Sequence, residues 1–478
     1  MSWRNPDRIA ALSRADGLVA SASQVIGGPL GRYAVSLAKG WRYYAAVLTA
    51  ASAVPMALGV LERAHCIDHG WNTPDQFWHA CFSDLPATYK DAGLTAGVVS
   101  FLTGGPGAPA PVQPPLTGFV MSLLASVVPS GPLADRMRFY FALWAVLGAL
   151  LLALTTWWTT ASVRRLPIRA AHVALSPVVV LSLLVAPDIL GVTLLAAAMY
   201  LWSRQRLILS GAFLGLAISA RTYPVVVLVA LLLVCVRAGR LIAWGKTAGA
   251  TLVTFGGVMF VLGVLNPAAA VASYRGWYGS GAGFGSPWLL PQLAGHPLPM
   301  RAVTILCVVG WLAAVVAGAV FALATPRRPG VAEVSLVMLG TVMVTGTSFP
   351  VQSSLWLVPL VALVGLRWKD HLYWAATEAL HFIAVWLYLA SVQVPDRGLP
   401  PGWYAFFLLL RLTGVGWLLY RTWHVARLRK PPLDDLEERG DEQGEDPGKP
   451  ADSFTEPDPD ELAGALAGAR DHLIVKLG

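Results

Sequence analysis

One acidic residue just after the first two cysteines of the chain has surroundings that suit a catalytic base. Asp84 follows Ser83 at the start of a predicted short helix, for which serine is a common N-cap and Pro86 suits the first turn. A carboxylate in such a position can accept the proton of a hydroxyl group. It can also simply assist the helix cap, and the sequence leaves both roles open for Asp84.

Other polar residues stand at turns between apolar runs. Asp188 follows an Ala-Pro pair, and an ionisable residue at membrane depth is costly enough to indicate a functional site. Arg221 precedes Tyr223, and its long side chain could either reach the interface or pair with a phosphate. Gln352 begins a later apolar run. The loop 274–288 is rich in glycine and aromatic residues, which fits either a mobile flap that contacts sugar or lipid, or an interfacial aromatic belt.

The elements that must position these residues are membrane helices. Of the 478 residues, 56% are hydrophobic and 13% are charged, whereas soluble domains average about 45–50% apolar and about 25% charged residues. The mean hydropathy of +0.59 points the same way. This composition excludes a disordered protein, a coiled coil and a water-soluble enzyme, and it predicts an all-α, polytopic integral membrane protein.

Apolar runs that could cross a membrane recur along the whole chain, since a span needs about 17 to 25 residues. We expect about twelve spans, several of them short. They are predicted at 43–61, 137–161, 170–186, 188–203, 207–220, 222–236, 247–265, 303–324, 331–347, 354–366, 371–390 and 403–423. Basic residues cluster between them from Arg164 to Arg427, and the positive-inside rule therefore places this side and both termini in the cytoplasm.

This topology leaves two long outer segments, 62–136 and 266–302, and long loops without a domain of their own tend to be functional. Residues 116–130 are apolar but short, and we expect an amphipathic helix on the outer surface. Asp84 would then face the outside, where a sugar hydroxyl could reach it.

Three regions follow from this division of the chain. Residues 1–42 form a cytoplasmic N-terminal segment and residues 43–425 the transmembrane domain. Residues 426–478 form an acidic tail rich in Pro and Gly, which predicts mostly disordered structure in the cytoplasm.

The first outer segment also holds cysteines and histidines. A disulfide between Cys66 and Cys81 is expected if the segment faces an oxidising exterior. His65, His69 and His79 lie nearby, but no pair has strong ligand spacing, and no metal site is predicted. The formal charge of +8 is spread over short clusters rather than one contiguous surface, which argues against nucleic-acid binding.

The outer-loop residues resemble a known group of enzymes. The pattern Asp84-Leu-x-x-x-Tyr89-x-x-Ala92-Gly93 resembles the membrane-embedded GT-C glycosyltransferases. The closer resemblance is to glycosyltransferase family 87, the polyprenyl-phosphate-mannose-dependent α-mannosyltransferases of actinobacterial envelopes. Further matches follow in the family's order within residues 40–425: Pro114-Pro115-Leu116, Ala174-Leu175-Ser176-Pro177, Asp188-Ile189-Leu190, Gly211 to Pro224, Gly285-Ser286-Pro287-Trp288 and Gln352-x-x-x-Trp356-Leu357-x-Pro359.

The resemblance implies an inverting transfer of a sugar, with mannose expected, from a polyprenyl-phosphate donor to a lipid-linked glycan or glycolipid acceptor on the extracytoplasmic face. Asp84 would be the base, and Arg221 would stabilise the leaving phosphate, with Lys90 and Arg275 as further candidates. The residues expected to bind substrate are Tyr89, Lys90, Asp188, Arg221, Tyr223, Arg275, Ser286, Trp288, Gln352 and Trp356. The resemblance implies no metal or other cofactor, and its partners are the lipid substrates and the membrane.

Several residues depart from the family's pattern. Arg221 stands where lysine is usual, and Ser353 stands where tyrosine is expected. Pro350-Val351 replaces Ser-Pro, and Val112-Gln113 replaces an acidic residue before the proline-rich motif. These departures keep open a non-catalytic lipid or glycolipid transporter, or a degenerate glycosyltransferase-like partner subunit.

Overall fold

The computed structural model describes residues 40–105, 107–110, 112–275, 279–428 and 461–475. In these ranges every regular element is a helix and no strand is present. Most of the predicted N-terminal segment (1–39) and of the predicted acidic tail (429–460) lies outside the described residues. The predicted all-α architecture is confirmed.

The helices fall into long membrane-length rods and shorter pieces between them. The first group in the chain is α1 Trp41–Ala51, α2 Ala53–Glu62, α3 Ala64–His69, α4 Asp75–Trp78, α5 Asp84–Asp91, α6 Gly97–Thr103, α7 Pro115–Ala125 and α8 Leu133–Ser162. The second is α9 Ala171–Ala174, α10 Pro177–Ser182, α11 Asp188–Ser203, α12 Leu207–Ala220, α13 Val225–Arg237, α14 Leu241–Leu265 and α15 Pro267–Arg275. The third is α16 Leu290–Leu293, α17 Met300–Ala324, α18 Val331–Val344, α19 Val358–Val364, α20 Trp368–Gln393 and α21 Pro401–Leu428. Short 3₁₀ helices occur at Leu94–Ala96, Pro167–Ala170, Pro287–Leu289, Val351–Trp356 and Gly464–Leu466.

The connections between helices gather at two opposite ends of the molecule. We call the end that holds Asp84 the Asp84 face, and the end that holds Arg237 the Arg237 face. The Asp84 face comprises the described residues of the connections 63–105, 107–110, 112–114, 183–187, 221–224, 266–275, 279–299, 345–350 and 394–400, which hydrogen bonds join at several points. The Arg237 face comprises 163–170, 203–206, 238–240, 325–330 and 365–367.

Six helical rods are long and apolar enough to cross a membrane, by length and composition. Six of the shorter apolar stretches run between the same two faces, and in the described residues the chain alternates direction from one segment to the next. The 14-residue helices α12 and α18 span only about 21 Å at 1.5 Å per residue. They are mostly buried among longer neighbours, which explains why their sequences are apolar on every side.

Helix α7 covers residues 116–125 of the predicted amphipathic segment 116–130 and does not run between the faces. Near its start, the Thr117 hydroxyl donates to the carbonyl of Ala220 at 2.9 Å. Just beyond its end, the hydroxyl of Ser126 accepts from the amide of Val98 at 2.8 Å. Both ends therefore lie on the Asp84 face.

The C-terminal segment 461–475 packs against the Arg237 face. Asp471 accepts hydrogen bonds from Arg237 at 2.7 and 2.9 Å, and from Arg328 at 3.2 Å. Leu462 and Leu466 are buried in the main core. One aspartate and two leucines give this stretch of the predicted tail an ionic contact and apolar area to bury.

Candidate active site

The backbone around Asp84 is fixed by the turn that precedes α11. Ser83 caps α5, since its hydroxyl oxygen accepts from the amide of Leu85 at 3.3 Å, and the predicted helix start is confirmed. The same hydroxyl donates to the carbonyl of Leu184 at 2.7 Å, and the Asp84 amide donates to that of Val185 at 2.7 Å. Asp84 is thereby held against the turn 183–187.

A disulfide closes the loop just before this helix. Cys66 and Cys81 are bonded, with their Cα atoms 5.8 Å apart, which confirms the predicted pairing. Between them, the indole N–H of Trp78 donates to the carbonyl of Arg397 at 3.0 Å. The loop is therefore tied both to α3 and to the connection between α20 and α21.

Asp188 and Arg221 form an ion pair beside Asp84. Arg221 donates through Nε at 3.1 Å and through Nη2 at 2.9 Å to the two carboxylate oxygens of Asp188. Burial lowers the pKa of Arg221, but the charge and hydrogen bonds of Asp188 raise it more, and the net pKa lies above the ordinary value. Asp188 is completely buried whereas the Arg221 side chain is 27% exposed. Nη1 takes no part in this pair.

A tryptophan completes the support of Asp188. The Trp356 indole N–H donates to Asp188 Oδ1 at 2.9 Å, and its ring lies over Gly191, one turn along α11. A Cβ atom at position 191 would lie 2.5 Å from the ring. Only glycine leaves room for this close approach, so that the pattern Asp-x-x-Gly at the start of α11 has a packing reason.

Asp84 is the carboxylate of this group that no arginine engages directly. Its nearest hydrogen-bond partner is the Gln352 amide, whose Nε2 donates to Oδ2 at a long 3.5 Å. Burial raises the pKa of Asp84 to about 6, the charge of Arg221 opposes this rise, and the charge of Asp188 adds to it. The side chain is half-buried, and it can still be reached from the Asp84 face.

Two hydroxyl groups lie near the ion pair. Tyr223 and Ser353 are within hydrogen-bond distance, with their oxygens 3.3 Å apart. The Tyr223 ring packs edge-on against Trp356, with the ring centroids 5.7 Å apart. Burial raises the pKa of Tyr223, so that its phenol stays protonated and remains a donor. Of the predicted substrate-binding residues, the structure brings Asp188, Arg221, Tyr223, Gln352 and Trp356 together around Asp84.

A second buried ion pair supports this cluster and was not among the predicted site residues. Arg411 donates through Nε to Glu378 at 2.8 Å. Its other nitrogens donate to the carbonyls of Phe349 and Pro350 and to the hydroxyl of Ser354, at 2.9 Å for the last. The pair fixes the segment that presents Gln352. Glu378 and Arg411 each lie inside a predicted apolar span, and charged residues in such places are the sequence signal that could have identified the pair.

Three predicted residues lie apart from the cluster. Tyr89 is buried, with its ring 4.7 Å from that of Tyr140 and the Arg136 guanidinium 5.6 Å above it. It is a packing residue of α5 against α8. Lys90 and Arg275 are exposed on the Asp84 face, outside the cluster.

The side chains of Ser286 and Trp288 bind backbone in the loop that follows α15. The Ser286 hydroxyl donates to the carbonyl of Gly346 at 2.7 Å, and the Trp288 indole N–H donates to the carbonyl of Thr345 at 2.9 Å. Gly285 has a φ of +80°, and a Cβ there would lie 1.8 Å from a carbonyl oxygen. Residues 283–288 are therefore fastened to the segment 345–349, and a freely mobile flap does not describe this part of the loop.

Three residues of the disulfide loop form a separate cluster. Asp75 lies 2.7 Å from Nε2 of His65 and 3.2 Å from Nδ1 of His79. The hydrogen bond from His65, aided by the nearby imidazoles, holds the pKa of Asp75 below its ordinary value. Spacing along the chain does not show this cluster, because the folded loop brings together residues from α3 and from both ends of α4.

Comparison with known proteins gives only distant structural similarity. No protein-family model and no curated protein matches the chain. A crystal structure of ArnT from Cupriavidus metallidurans bound to undecaprenyl phosphate is 14% identical, with 70% of this chain and 72% of that chain covered and a TM-score of 0.38. Similarity at this level carries no weight for function, which must be inferred from the site.

Proposed function

We propose that the protein transfers a sugar from a polyprenyl-phosphate donor to a hydroxyl group of a lipid-linked glycan or glycolipid, with Asp84 as the base. The single observation that carries this proposal is the setting of Asp84. It is a half-buried carboxylate with a pKa of about 6, placed beside an arginine that keeps one amine group free of its own ion pair.

A pKa of about 6 suits a general base near neutral pH. At pH 7 roughly nine in ten such groups are ionised, while the raised pKa makes each a stronger proton acceptor than an ordinary aspartate. A donor phosphate bound nearby would add negative charge and raise the proton affinity of Asp84 further. The site would therefore become more basic when the donor is in place.

One arginine nitrogen and two neutral hydrogen-bond donors would hold the phosphate of the sugar donor. Nη1 of Arg221 is the charged donor, and the Tyr223 phenol and the Gln352 amide are neutral ones. Asp188 orients Arg221 rather than binding substrate, since both carboxylate oxygens accept from the guanidinium. Lys90 and Arg275, exposed on the same face, would contribute only long-range attraction.

The reaction then needs one proton transfer and one displacement. Asp84 takes the proton of the acceptor hydroxyl as the hydroxyl oxygen attacks the anomeric carbon. The bond from that carbon to the phosphate oxygen breaks, and the polyprenyl phosphate leaves with the bonding electrons. Arg221 stabilises the charge that grows on the leaving oxygen. Attack opposite to the leaving group inverts the anomeric configuration.

The charge distribution supports the proposed orientation. The basic clusters from Arg164 to Arg427 lie toward the Arg237 face, which would be cytoplasmic by the positive-inside rule. The Asp84 face would then be extracytoplasmic, where a lipid-carried donor replaces a nucleotide sugar. The motif resemblance to glycosyltransferase family 87 supports mannose as the sugar and an envelope glycan or glycolipid as the acceptor.

Sugar transfer in proteoliposomes tests the proposal. Wild-type protein is supplied with polyprenyl-phosphate [¹⁴C]mannose and an envelope glycolipid extract, and labelled product and released polyprenyl phosphate are quantified. We expect both in equal amounts from the wild type. Asp84→Asn should lower the rate by at least about 100-fold, since a general base contributes about 10² to 10⁴.

Asp91→Asn is the matched control, because Asp91 is an exposed carboxylate at the other end of α5. This variant should transfer sugar at the wild-type rate. Undiminished transfer by Asp84→Asn would remove Asp84 from the mechanism. Movement of intact donor across the bilayer without release of polyprenyl phosphate would instead identify a lipid transporter.

A further inference from the structure

Two imidazoles and one carboxylate converge in the disulfide loop on the Asp84 face. His65, Asp75 and His79 each offer one ligand atom, and these atoms all lie within 4.8 Å of one another. The rings of His65 and His79 are nearly parallel, with their centroids 3.5 Å apart. The three side chains are 29%, 38% and 45% exposed, so that an ion in solution can reach them.

The separations of Asp75 from the two imidazoles are close to those around a small tetrahedral ion. Zinc bonds to His nitrogen and Asp oxygen are about 2.0–2.2 Å long, which puts neighbouring ligand atoms roughly 3.3 Å apart in a tetrahedron. Asp75 Oδ2 is 2.7 Å from His65 Nε2, and Oδ1 is 3.2 Å from His79 Nδ1. The two rings are stacked and His79 Nδ1 lies 3.1 Å from the Asp75 carbonyl oxygen, so both imidazoles must rotate apart before their nitrogens can point at one ion.

The covalent frame of the loop keeps these residues close. Cys66 directly follows His65, and Cys81 comes two residues after His79. The disulfide thus joins the two chain segments that carry the imidazoles, while α4 presents Asp75 between them. A site held by such a frame loses less conformational entropy on binding than one built from a free loop.

We propose that His65, Asp75 and His79 bind one Zn²⁺ ion, with water in the fourth position. Two imidazoles and a carboxylate are the ligand chemistry of zinc rather than of calcium or magnesium, which take oxygen ligands. The ion would cross-link α3 to α4 just before the chain reaches Ser83 and Asp84, and it would make the outer loop more rigid. This inference does not depend on sugar transfer, since none of its ligands belongs to the Asp84 cluster.

Zinc titration of the purified, chelator-treated protein tests the proposal. Isothermal titration calorimetry with zinc chloride should show about one ion per chain, as expected of a single site. His65→Asn and His79→Asn should each weaken binding by at least about tenfold, because even second-shell changes cost 10–100-fold in metal affinity. His296→Asn is the matched control, an exposed histidine elsewhere on the same face, and should bind as the wild type does.

A measurement on the wild type alone covers the case in which the variants fail to fold. Diethyl pyrocarbonate modifies accessible histidines, and zinc should protect His65 and His79 from it while leaving His296 reactive. Absence of zinc binding by the wild type would overturn the proposal. Equal binding by wild type and both ligand variants, or protection of all three histidines alike, would overturn it as well.

Discussion

Replacing Asp84 by asparagine should make the folded protein more stable at alkaline pH. An acid whose pKa is raised on folding contributes its full stability below its ordinary pKa, and that stability is lost as the pH rises through the folded value. For Asp84 the window runs from 3.8 to about 6. At 1.36 kcal/mol per unit, the ionised carboxylate costs up to about 3 kcal/mol at pH 8. Asparagine has nearly the same shape and avoids this cost.

Thermal unfolding in detergent at pH 8 and at pH 4.5 measures the effect. We expect the melting temperature of Asp84→Asn to exceed that of the wild type by a few degrees at pH 8. The gap should narrow to about a third at pH 4.5, where the folded wild-type carboxyl is protonated but the unfolded one is still mostly ionised. Asp91→Asn, altered on the exposed end of the same helix, should follow the wild type at both values. An Asp84→Asn variant that is less stable at pH 8, or that shows the same gap at both values, would refute the assignment of a burial-raised pKa.

Three further predictions concern activity and packing. Sugar transfer by the wild type should fall about tenfold per pH unit below about 6, because only ionised Asp84 accepts a proton, and a rate independent of pH down to 5 would contradict this. Gly191→Ala should cost about 1–3 kcal/mol of stability and much of the activity, since a Cβ 2.5 Å from Trp356 forces the ring away. A melting temperature equal to that of the wild type would count against this prediction. Asp471→Asn should release the C-terminal segment from buried Arg237 and speed its removal by protease, and unchanged cleavage would show that the ion pair does not anchor it.

The fold could be predicted largely from the sequence because the membrane imposes strong constraints. The length of the apolar runs alone predicts helices such as α8 and α17. The basic clusters between runs predict the direction in which each helix crosses the membrane. The cap formed by Ser83 and the pairing of Cys66 with Cys81 were also predictable, since both depend on residues that are close in the chain.

The candidate site could be predicted only in part, because its interactions connect distant segments. Asp188 and Arg221 were recognisable in the sequence because charged residues at membrane depth are energetically costly. Their mutual pairing depends on how α11 packs against α12 and could not be predicted. The same limit applies to the Arg411–Glu378 pair, whose partners lie on two different long helices. Tyr89 was assigned to substrate from a local motif, although the packing of α5 on α8 buries its ring.

A structure of the protein with its polyprenyl-phosphate sugar bound tests the central claim most directly. The phosphate should lie within hydrogen-bond distance of Nη1 of Arg221, about 3 Å. The anomeric carbon should face the space that Asp84 borders. A phosphate bound at the Arg237 face, or a sugar on the far side of the Arg221–Asp188 pair from Asp84, would contradict the proposed base and donor site.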